Sequence, residues 1–314
     1  MIVTLTLNPS LDRTIEVDRL TRGAVIRAGG AHLDPGGKGV NVSRALLANG
    51  VPSRAVLPCG GGDGRELVRL LEEEGVDVLA VPTSGATRSN VTLAEPDGTV
   101  TKVNEPGATM PPEDLERVAE TVLHAAGSAD WVVVCGSLPP GVPVDLYARL
   151  ARRFAAAGIR VAVDTSGPAL LAAIAAGAVL VKPNREELAE AVGRPLSSLG
   201  DVVAAARELR SWGAGTVLAS LGADGAVLVD DEGVVVGESR LIEPRSTVGA
   251  GDSFLAGFLA AGASGETALA EALAWGAAAA ALPGSRMPGP GDIARDVVRI
   301  TSGPDLGRPL LPSG

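Results

Sequence analysis

Histidine and cysteine are scarce in this sequence, which has two of each among its 314 residues. Two histidines, His32 and His124, leave little material for a histidine-based zinc site or a Ser-His-Asp triad. Cys59 and Cys135 each end an apolar run, where buried free thiols usually lie. We therefore expect free thiols, and a reducing cytoplasmic location rather than secretion.

Positive charge is also limited, because the formal net charge is -10 and lysine occurs only as Lys38, Lys102 and Lys182. No block or stripe of basic residues is present, which argues against nucleic acids and anionic membranes as partners. Neither a signal peptide nor an apolar run suited to span a membrane is found. Such an acidic protein must bind anionic ligands with a few well-placed cations.

Strand-like apolar runs alternate with helical patterns along most of the chain. This alternation predicts βαβ units, and hence a mostly parallel central sheet with helices on both faces, in a single α/β domain over residues 1–300. Residues 301–314 are rich in proline and glycine, so we expect a frayed tail there. The predicted buried strands are 1–7, 53–58, 131–135, 160–164, 178–182 and 215–220, and the predicted helices are 40–49, 64–74, 112–126, 143–157, 185–192 and 201–212.

Two segments, residues 13–28 and 88–103, interrupt the alternation with short strands of alternating polarity. The second contains a turn sequence, Glu-Pro-Asp-Gly, between its two strands. We predict a small antiparallel sheet outside the main layer. Such a sheet can act as a lid that excludes water from a crevice at the strand ends, although a plain edge hairpin fits the same pattern.

The segment 247–254, with the sequence TVGAGDSF, runs directly into a helical pattern. Gly249, Ala250 and Gly251 leave the N–H groups of the first helical turn uncovered, which suits an oxyanion or a phosphate. Asp252 follows them. This aspartate is either a helix cap or a general base that takes a proton from an attacking hydroxyl during phosphoryl transfer.

Two motifs near the amino terminus carry further polar groups. Asp12 follows the first strand, where its carboxylate can accept hydrogen bonds from sugar hydroxyls, although an ordinary turn aspartate also fits. Gly37, Lys38 and Asn41 belong to PGGKGVNV at 35–42, which combines close backbone approach, a point charge and an amide. The spacing matches neither a P-loop nor a dinucleotide fingerprint.

Two motifs in the second half of the chain also follow strands. After Lys182, Asn184 and Glu187 lie on one face of a helix, which suits a hydrated Mg²⁺ ion, although a simple capping box gives the same pattern. Ser220, Gly222 and Gly225 form a glycine turn whose main-chain N–H groups can surround a nucleotide phosphate or ribose.

These motifs, in order and spacing, resemble the ribokinase-like sugar kinases of the phosphofructokinase B type, in the branch of 1-phosphofructokinase and tagatose-6-phosphate kinase. The similarity covers nearly the whole chain and includes NPSLD at 8–12, GGKGVNVSR at 36–44, NEPG at 104–107, GSLP at 136–139, KPN at 182–184, SLG at 220–222 and VGAGDS at 248–253. The resemblance implies a ribokinase-like three-layer α/β sandwich with a small β-sheet lid.

The resemblance also implies a role for each candidate residue. Asp252 would be the catalytic base, and the amides of Gly249, Ala250 and Gly251 would form the anion hole. The residues implied for the sugar phosphate are Asp12, Gly37, Lys38, Asn41 and Arg88. Those implied for ATP are Lys182, Asn184, Ser220, Gly222 and Gly225, and those implied for Mg²⁺ are Asn184 and Glu187.

The implied reaction is the ATP- and Mg²⁺-dependent phosphorylation of a ketohexose phosphate, first of all fructose 1-phosphate, with tagatose 6-phosphate and fructose 6-phosphate as alternatives. A neutral sugar would leave two cations, Lys38 and Arg88, buried and unpaired, which favours a phosphorylated acceptor. The intact Gly-Ala-Gly-Asp argues against a noncatalytic phosphosugar or nucleotide sensor, and the missing G-x-G-x-x-G argues against a nicotinamide dehydrogenase. Because the apolar face of the lid needs cover, we also expect a homodimer through the lid.

Overall fold

Strands and helices alternate in the computed structural model, which describes residues 1–240, 244–301 and 303–311. No helix in these ranges is both long enough and apolar enough to cross a bilayer. The strands are β1 (Ile2–Thr6), β2 (Ser10–Glu16), β3 (Gly30–Gly36), β4 (Ser53–Cys59), β5 (Val78–Pro82), β6 (Arg88–Ala94), β7 (Val100–Asn104), β8 (Trp131–Cys135), β9 (Arg160–Asp164), β10 (Leu180–Val181), β11 (Thr216–Ser220), β12 (Ala226–Val229), β13 (Val234–Ser239) and β14 (Val298–Thr301). The helices are α1 (Lys38–Ala48), α2 (Gly61–Glu73), α3 (Pro112–Ala125), α4 (Leu146–Ala156), α5 (Gly167–Ala175), α6 (Arg185–Val192), α7 (Leu199–Ser211), α8 (Ala250–Ala260) and α9 (Gly265–Ala281).

The large central sheet has the strand order β14-β13-β12-β11-β10-β9-β8-β1-β4-β5. All neighbours from β5 across to β11 pair in parallel, whereas β12, β13 and β14 extend one edge with antiparallel pairing. In β8, Val132 and Val134 pack with helices α3 to α7, while Val133 packs with α1, α8 and α9 on the other face. Helices therefore cover both faces of the sheet, and the predicted three-layer α/β architecture is confirmed.

The carboxyl ends of the central strands meet at one edge of the sheet. Thr6 of β1 lies beside Cys135 of β8, and Cys135 lies beside Asp164 of β9. The next strands, β10 and β11, end immediately before Lys182 and at Ser220. Sequence motifs that are far apart in the chain are thus brought to the same edge.

The second sheet lies outside the main layer and has four strands in the order β3-β2-β6-β7. Its predicted antiparallel pairing is wrong in one place, because β2 and β6 are parallel. Its first two strands also begin at Ser10 and Gly30 rather than inside residues 13–28. Strand β2 begins this early because the chain passes directly from β1 through Asn8 and Pro9 into this sheet.

The carboxyl-terminal segment differs from the expected frayed tail. Thr301 is the last residue of β14, which pairs with β13. Residues 303–311 run along the protein surface, where Leu310 is buried and its N–H donates to the Ser197 carbonyl at 2.9 Å. Residues 302 and 312–314 of the expected tail lie outside the described residues.

Candidate active site

The turn before α8 exposes backbone N–H groups to the crevice. Gly249 is the N-cap residue and adopts a left-handed conformation with φ of 74°, and a Cβ there would lie 2.9 Å from Met287 Cε. The helix begins with the bond from Ser253 N–H to the Gly249 carbonyl, at 2.8 Å. In the described part of the chain, the N–H groups of Gly251 and Asp252 have no hydrogen-bond partner. They are free to bind an anion.

The loop after α9 packs against this turn. Arg44 is almost fully buried and forms two hydrogen bonds with Glu74, at 2.6 and 2.8 Å. Arg44 also donates to the carbonyl of Ser285, and the same loop carries Met287, whose side chain reaches Gly249. Helix α1 and the anion-binding turn are therefore connected through the loop that carries Ser285 and Met287.

Asp252 lies in the first turn of α8, and its side chain caps no helix N–H. The side chain is nearly inaccessible, with 8% exposure, and Asn41 Nδ2 donates to its Oδ2 at 2.9 Å. Burial, together with the negative charge of Asp164, raises the pKa of Asp252 to about 6, although the Asn41 hydrogen bond and two lysines oppose the shift. A carboxylate with such a pKa suits general base catalysis near neutral pH.

A charge cluster lies beside Asp252. The carboxylate of Asp164 is fully buried and contacts Lys38 Nζ at 2.8 Å and Lys182 Nζ at 3.2 Å. Burial opposes ionisation of Asp164, but the two ammonium groups hold its pKa below the ordinary value. Burial likewise acts against the charge of Lys38, but Asp164 and Glu187 hold the Lys38 pKa above its ordinary value. Lys38 therefore stays charged beside Asp164.

Lys182 is the cation nearest to that turn. Its ammonium group would lie 3.6 Å from a Cβ placed on Gly251, and its side chain is only 4% exposed. The sequence motif indicated Lys182 as part of the nucleotide site. The structure places this lysine beside the free N–H groups of α8, where a transferred phosphoryl group would meet it.

Asp164 was missed by the sequence analysis, which assigned it only to the end of a strand. Its signal is its position, because an aspartate that ends an otherwise apolar buried strand in a parallel sheet lies at the ligand-binding edge. A buried carboxylate there needs cationic partners. No local feature of the chain indicates that Lys38, 126 positions away, is one of them.

The expected pairing of Lys38 with Arg88 on one phosphate differs from the structure. Lys38 Nζ is already compensated by Asp164 at 2.8 Å and by Glu187 at 3.2 Å. Contrary to the expectation from the sequence, a neutral sugar would therefore not leave Lys38 unpaired. Arg88, unlike Lys38, has no carboxylate partner within the described residues. It donates hydrogen bonds to the carbonyls of Asn8 and Glu105, at 3.2 and 3.0 Å.

Glycines determine the geometry around Asp12 and Gly37, two of the residues expected to bind the sugar phosphate. Asp12 Oδ1 accepts hydrogen bonds from Ser10 and Asn90, at 2.7 and 2.9 Å. Its Oδ2 lies so close to Gly36 that an added Cβ would be 2.4 Å away. Gly37, at φ of 123°, is the N-cap of α1 and leaves no room for a Cβ beside Thr6. The structure thus places Asp12 against Gly36, the residue before Gly37, and among the described hydrogen bonds only Oδ1 of Asp12 has partners.

The two residues expected at Mg²⁺ form a capping box. Asn184 Oδ1 accepts the N–H of Glu187 at 2.8 Å, and Glu187 Oε2 accepts the N–H of Asn184 at 2.9 Å. The other oxygen of Glu187 contacts Lys38. In the described ranges, no group of three or more carboxylate, histidine or cysteine side chains converges as a metal site.

The expected nucleotide turn is only partly available to a ligand. Gly222 is exposed, at φ of 60°, and a Cβ there would meet nothing within 4 Å. Gly225 differs from the expectation, because it is buried against the Gly237 carbonyl and its N–H donates to Gly222. The N–H of Ser220 donates to the Pro183 carbonyl. Among the described contacts, Gly222 and Ala223 keep free N–H groups at this turn.

Residues 5–286 match the model of the pfkB family of carbohydrate kinases. The chain belongs to this family. A 1-phosphofructokinase of Rhodobacter capsulatus is 41% identical over 285 residues, which are 88% of this chain and 90% of that protein. The ATP-dependent 6-phosphofructokinase isozyme 2 of Escherichia coli is 38% identical and aligns with 91% of this chain and 94% of its own length.

Solved structures agree with this assignment. The crystal structure of phosphofructokinase-2 from Escherichia coli in complex with substrates and products superposes with a TM-score of 0.87, at 38% identity, and covers 93% of this chain and 96% of that chain. The predicted sugar kinase family and ribokinase-like fold are thus confirmed. As a pfkB carbohydrate kinase, the protein is a phosphotransferase, and its family implies ATP as the phosphoryl donor.

The pKa of Asp252 predicts how kinase activity depends on pH. A general base works in its ionised form, so if Asp252 has this role, kcat should reach a plateau above about pH 7 and decrease as pH falls through the pKa of about 6. Well below that value we expect a loss of roughly tenfold per pH unit. Steady-state kinetics between pH 5 and 9 measure this acidic limb, the decrease of kcat at low pH. A kcat that stays constant down to pH 5 would contradict the prediction.

Proposed function

We propose that this kinase transfers the γ-phosphoryl group of ATP to fructose 1-phosphate and forms fructose 1,6-bisphosphate. Support comes from the 41% identical relative that is named 1-phosphofructokinase, which aligns along most of both chains. The observation that carries the chemistry is the buried Asp252, with a pKa raised to about 6, next to free N–H groups at the start of α8.

In the proposed step, the acceptor hydroxyl gives its proton to Asp252 while its oxygen bonds to the γ-phosphorus. The bond between that phosphorus and the oxygen that bridges to the β-phosphate breaks, and ADP leaves with the electron pair. Asn41 holds Oδ2 of Asp252, so Oδ1 is the atom that takes the proton. The anion hole proposed from Gly249, Ala250 and Gly251 stabilises charge on the moving group, with Lys182 beside it.

The N–H groups of the anion hole differ in availability. Ala250 N–H makes a long bond of 3.4 Å to the Thr247 carbonyl, whereas Gly251 N–H has no partner in the described chain. The N–H of Gly249 likewise has no partner among the described bonds, so Gly249 and Gly251 are more available donors than Ala250. Asp252 contributes its own N–H as a further free donor of this turn.

We propose Asp12, Gly37, Asn41 and Arg88 for the acceptor. Asn41 Oδ1 is buried without a hydrogen-bond partner among the described atoms, so it offers an acceptor to a sugar hydroxyl. Oδ2 of Asp12 offers another. Lys38 contributes less to the acceptor's own phosphate than the sequence indicated, because two carboxylates already compensate its charge.

For ATP we propose Lys182, Asn184, Ser220 and Gly222, with Gly225 acting through the shape of the turn. Mg²⁺ would be held mainly by the nucleotide phosphates, with Asn184 and Glu187 bound to it through water, because both side chains already have protein partners. A hydrated ion fits this donor set. When bound, it neutralises charge on the phosphates.

One assay distinguishes the candidate functions. ADP release with ATP and Mg²⁺ would be measured with fructose 1-phosphate, fructose 6-phosphate and tagatose 6-phosphate. We expect the highest kcat/KM with fructose 1-phosphate. Preference for fructose 6-phosphate would instead indicate a 6-phosphofructokinase, the activity for which the Escherichia coli relative at 38% identity is named. ATP binding without turnover on any phosphosugar would indicate a sensor.

Arg88 provides a test of the acceptor's phosphate site. Burial alone lowers the pKa of its guanidinium, with Asp12 and Glu105 acting in the opposite direction, so an anionic ligand would stabilise the charge. Arg88→Met should raise KM for fructose 1-phosphate about 10- to 150-fold, as expected for one charge-assisted hydrogen bond, with KM for ATP nearly unchanged.

Arg13→Met is the matched control for Arg88, because Arg13 lies on the neighbouring strand β2, next to Asp12 in the chain. It should leave both KM values within about twofold of the wild type. Thermal unfolding of both variants checks that the lid stays folded. A higher KM for ATP with no change for the phosphosugar would move Arg88 to the nucleotide and overturn the assignment.

We also propose that the chain forms a homodimer through the lid. The support is a set of exposed apolar side chains in and beside this sheet, with Val25 89% exposed, Val100 51% and Val103 58%. Pairing of two such sheets would cover them. Light scattering of the purified protein at micromolar concentration gives the oligomeric state, and a monomer would reject the proposal.

A further inference from the structure

The segment of residues 303–311, here called the C-terminal strap, is bound to the protein by its backbone. Carbonyl groups of the strap accept two N–H groups in the first turn of α7: Arg308 O accepts from Leu199 at 2.9 Å, and Leu306 O accepts from Gly200 at 2.8 Å. The first N–H groups of a helix have no partner within the helix, so the strap completes α7. Leu310 belongs to the hydrophobic core on this side of the sheet.

The same strap contacts the expected nucleotide turn through one buried residue, Asp224. Arg308 Nη2 donates to the Asp224 carbonyl at 2.9 Å, and its Nη1 lies 3.8 Å from Oδ1. The N–H of Leu311 donates to Oδ2 at 2.9 Å. Asp224 is only 6% exposed, so the strap supplies the charge and hydrogen bonds that this carboxylate needs.

The contact with Asp224 bears on the neighbouring residues of the turn. Asp224 is the last residue of the 3-10 turn Gly222–Asp224, whose first two residues are exposed and have free N–H groups. On its other side, the strap reaches the start of α6, where Arg185 donates to the Leu311 carbonyl. Arg185 directly follows Asn184, another residue proposed for ATP. The strap thus binds both segments that we assign to the nucleotide.

We propose that the C-terminal strap positions the nucleotide turn for ATP binding, with Arg308 and Asp224 as positioning residues that do not touch the ligand. This inference rests on the proposed binding of ATP at Gly222. The strap lies outside residues 5–286, the part of the chain that matches the family model.

The test is the variant Arg308→Ala in the full-length protein. Equilibrium binding of ATP, without acceptor, should weaken about 5- to 10-fold, less than for the loss of a direct charged hydrogen bond to the ligand, because Arg308 acts on the turn and does not touch ATP. KM for ATP should rise by the same factor, whereas KM for fructose 1-phosphate and kcat should stay within about twofold. Arg308→Lys, which keeps one donor, should restore part of the ATP affinity.

Arg54→Ala is the matched control. It also removes an arginine from an ion pair, with Asp77, but at the beginning of β4, at the amino ends of the strands. ATP affinity should stay at the wild-type value. Asp224→Ala removes the carboxylate but keeps the backbone carbonyl that accepts from Arg308. In a double-mutant cycle, the two substitutions together should weaken ATP binding by less than the product of their separate effects, because they share the contact between the guanidinium and the carboxylate.

Unchanged ATP affinity in Arg308→Ala would overturn the proposal. Equal loss of affinity for ATP and for the phosphosugar would also overturn it, since that result indicates a general loss of structure. The proposed reaction fails separately: if the wild type binds ATP but phosphorylates no phosphosugar, the substrate assignment is rejected, and the effect of Arg308→Ala on ATP binding still decides the role of the strap.

Discussion

Replacement of Asp252 by asparagine should reduce kcat by about 10² to 10⁴, the usual contribution of a general base. The amide keeps the size of the side chain and can still accept the hydrogen bond from Asn41, but it cannot take the proton. Binding of ATP and of fructose 1-phosphate should stay within roughly tenfold of the wild type. Near-normal turnover in Asp252→Asn would show that this aspartate has only a structural role.

The same variant should be more stable than the wild type. Asp252 is buried, contacts neither lysine of the charge cluster directly, and has a pKa of about 6 against 3.8 for an ordinary aspartate. A raised carboxyl pKa means that ionisation destabilises the folded state, here by about 1 to 3 kcal/mol. The stability gain should be present above about pH 6 and absent below about pH 4. Denaturant unfolding of the wild type and of Asp252→Asn, at pH 8 and at pH 4, measures the difference in stability at each pH.

Loss of Asp164 should have the opposite effect on stability. In Asp164→Ala, Lys182 remains buried without its ion-pair partner, and Lys38 keeps only Glu187. Removing one member of a buried ion pair typically costs about 3 to 5 kcal/mol, and we expect the lower end, because Asp252 loses a repulsive neighbour. Urea unfolding at pH 7 gives the change in free energy.

Asp231→Ala is the control for Asp164→Ala, since Asp231 pairs with Arg210 at a position where its own side chain is 96% exposed. Exposed ion pairs contribute little, so its unfolding curve should overlay that of the wild type. A second readout distinguishes Asp164 from a merely structural residue. Without its charge, the pKa of Asp252 should fall, and the acidic limb of the kcat profile should move to lower pH. An unshifted limb would contradict the electrostatic coupling of the two aspartates.

The fold could be predicted from the sequence to a large extent, because buried parallel strands have a pattern that is local in the chain. Apolar runs such as residues 131–135 are strand-like whichever residues they contact. The glycine motifs were also informative, since Gly249 adopts a conformation that other residues rarely take. These signals located the crevice and the candidate base without any knowledge of side-chain contacts.

The charge pairing in the site could not be predicted, because it depends on residues that are distant in sequence. Lys38 and Asp164 meet only after β9 and α1 are placed on the sheet, so Lys38 looked like an unpaired cation. Gly225 looked like part of a ligand-binding turn. In the structure, a side chain at this position would clash with the backbone of Gly237, which approaches it closely. The C-terminal strap was missed because most of its contacts are backbone hydrogen bonds, and because its two anchoring side chains, Arg308 and Leu310, form no periodic pattern.

Helix α1 carries two of the site's residues on successive turns, Lys38 toward Asp164 and Asn41 toward Asp252. Farther along, Arg44 links the helix to Glu74 and Ser285. Inserting or deleting one residue between them would rotate the later side chains by about 100°, since a helix has 3.6 residues per turn. This stretch can therefore vary in evolution by substitution but not in length, and the spacing of lysine, asparagine and arginine should stay fixed among functional descendants of this gene.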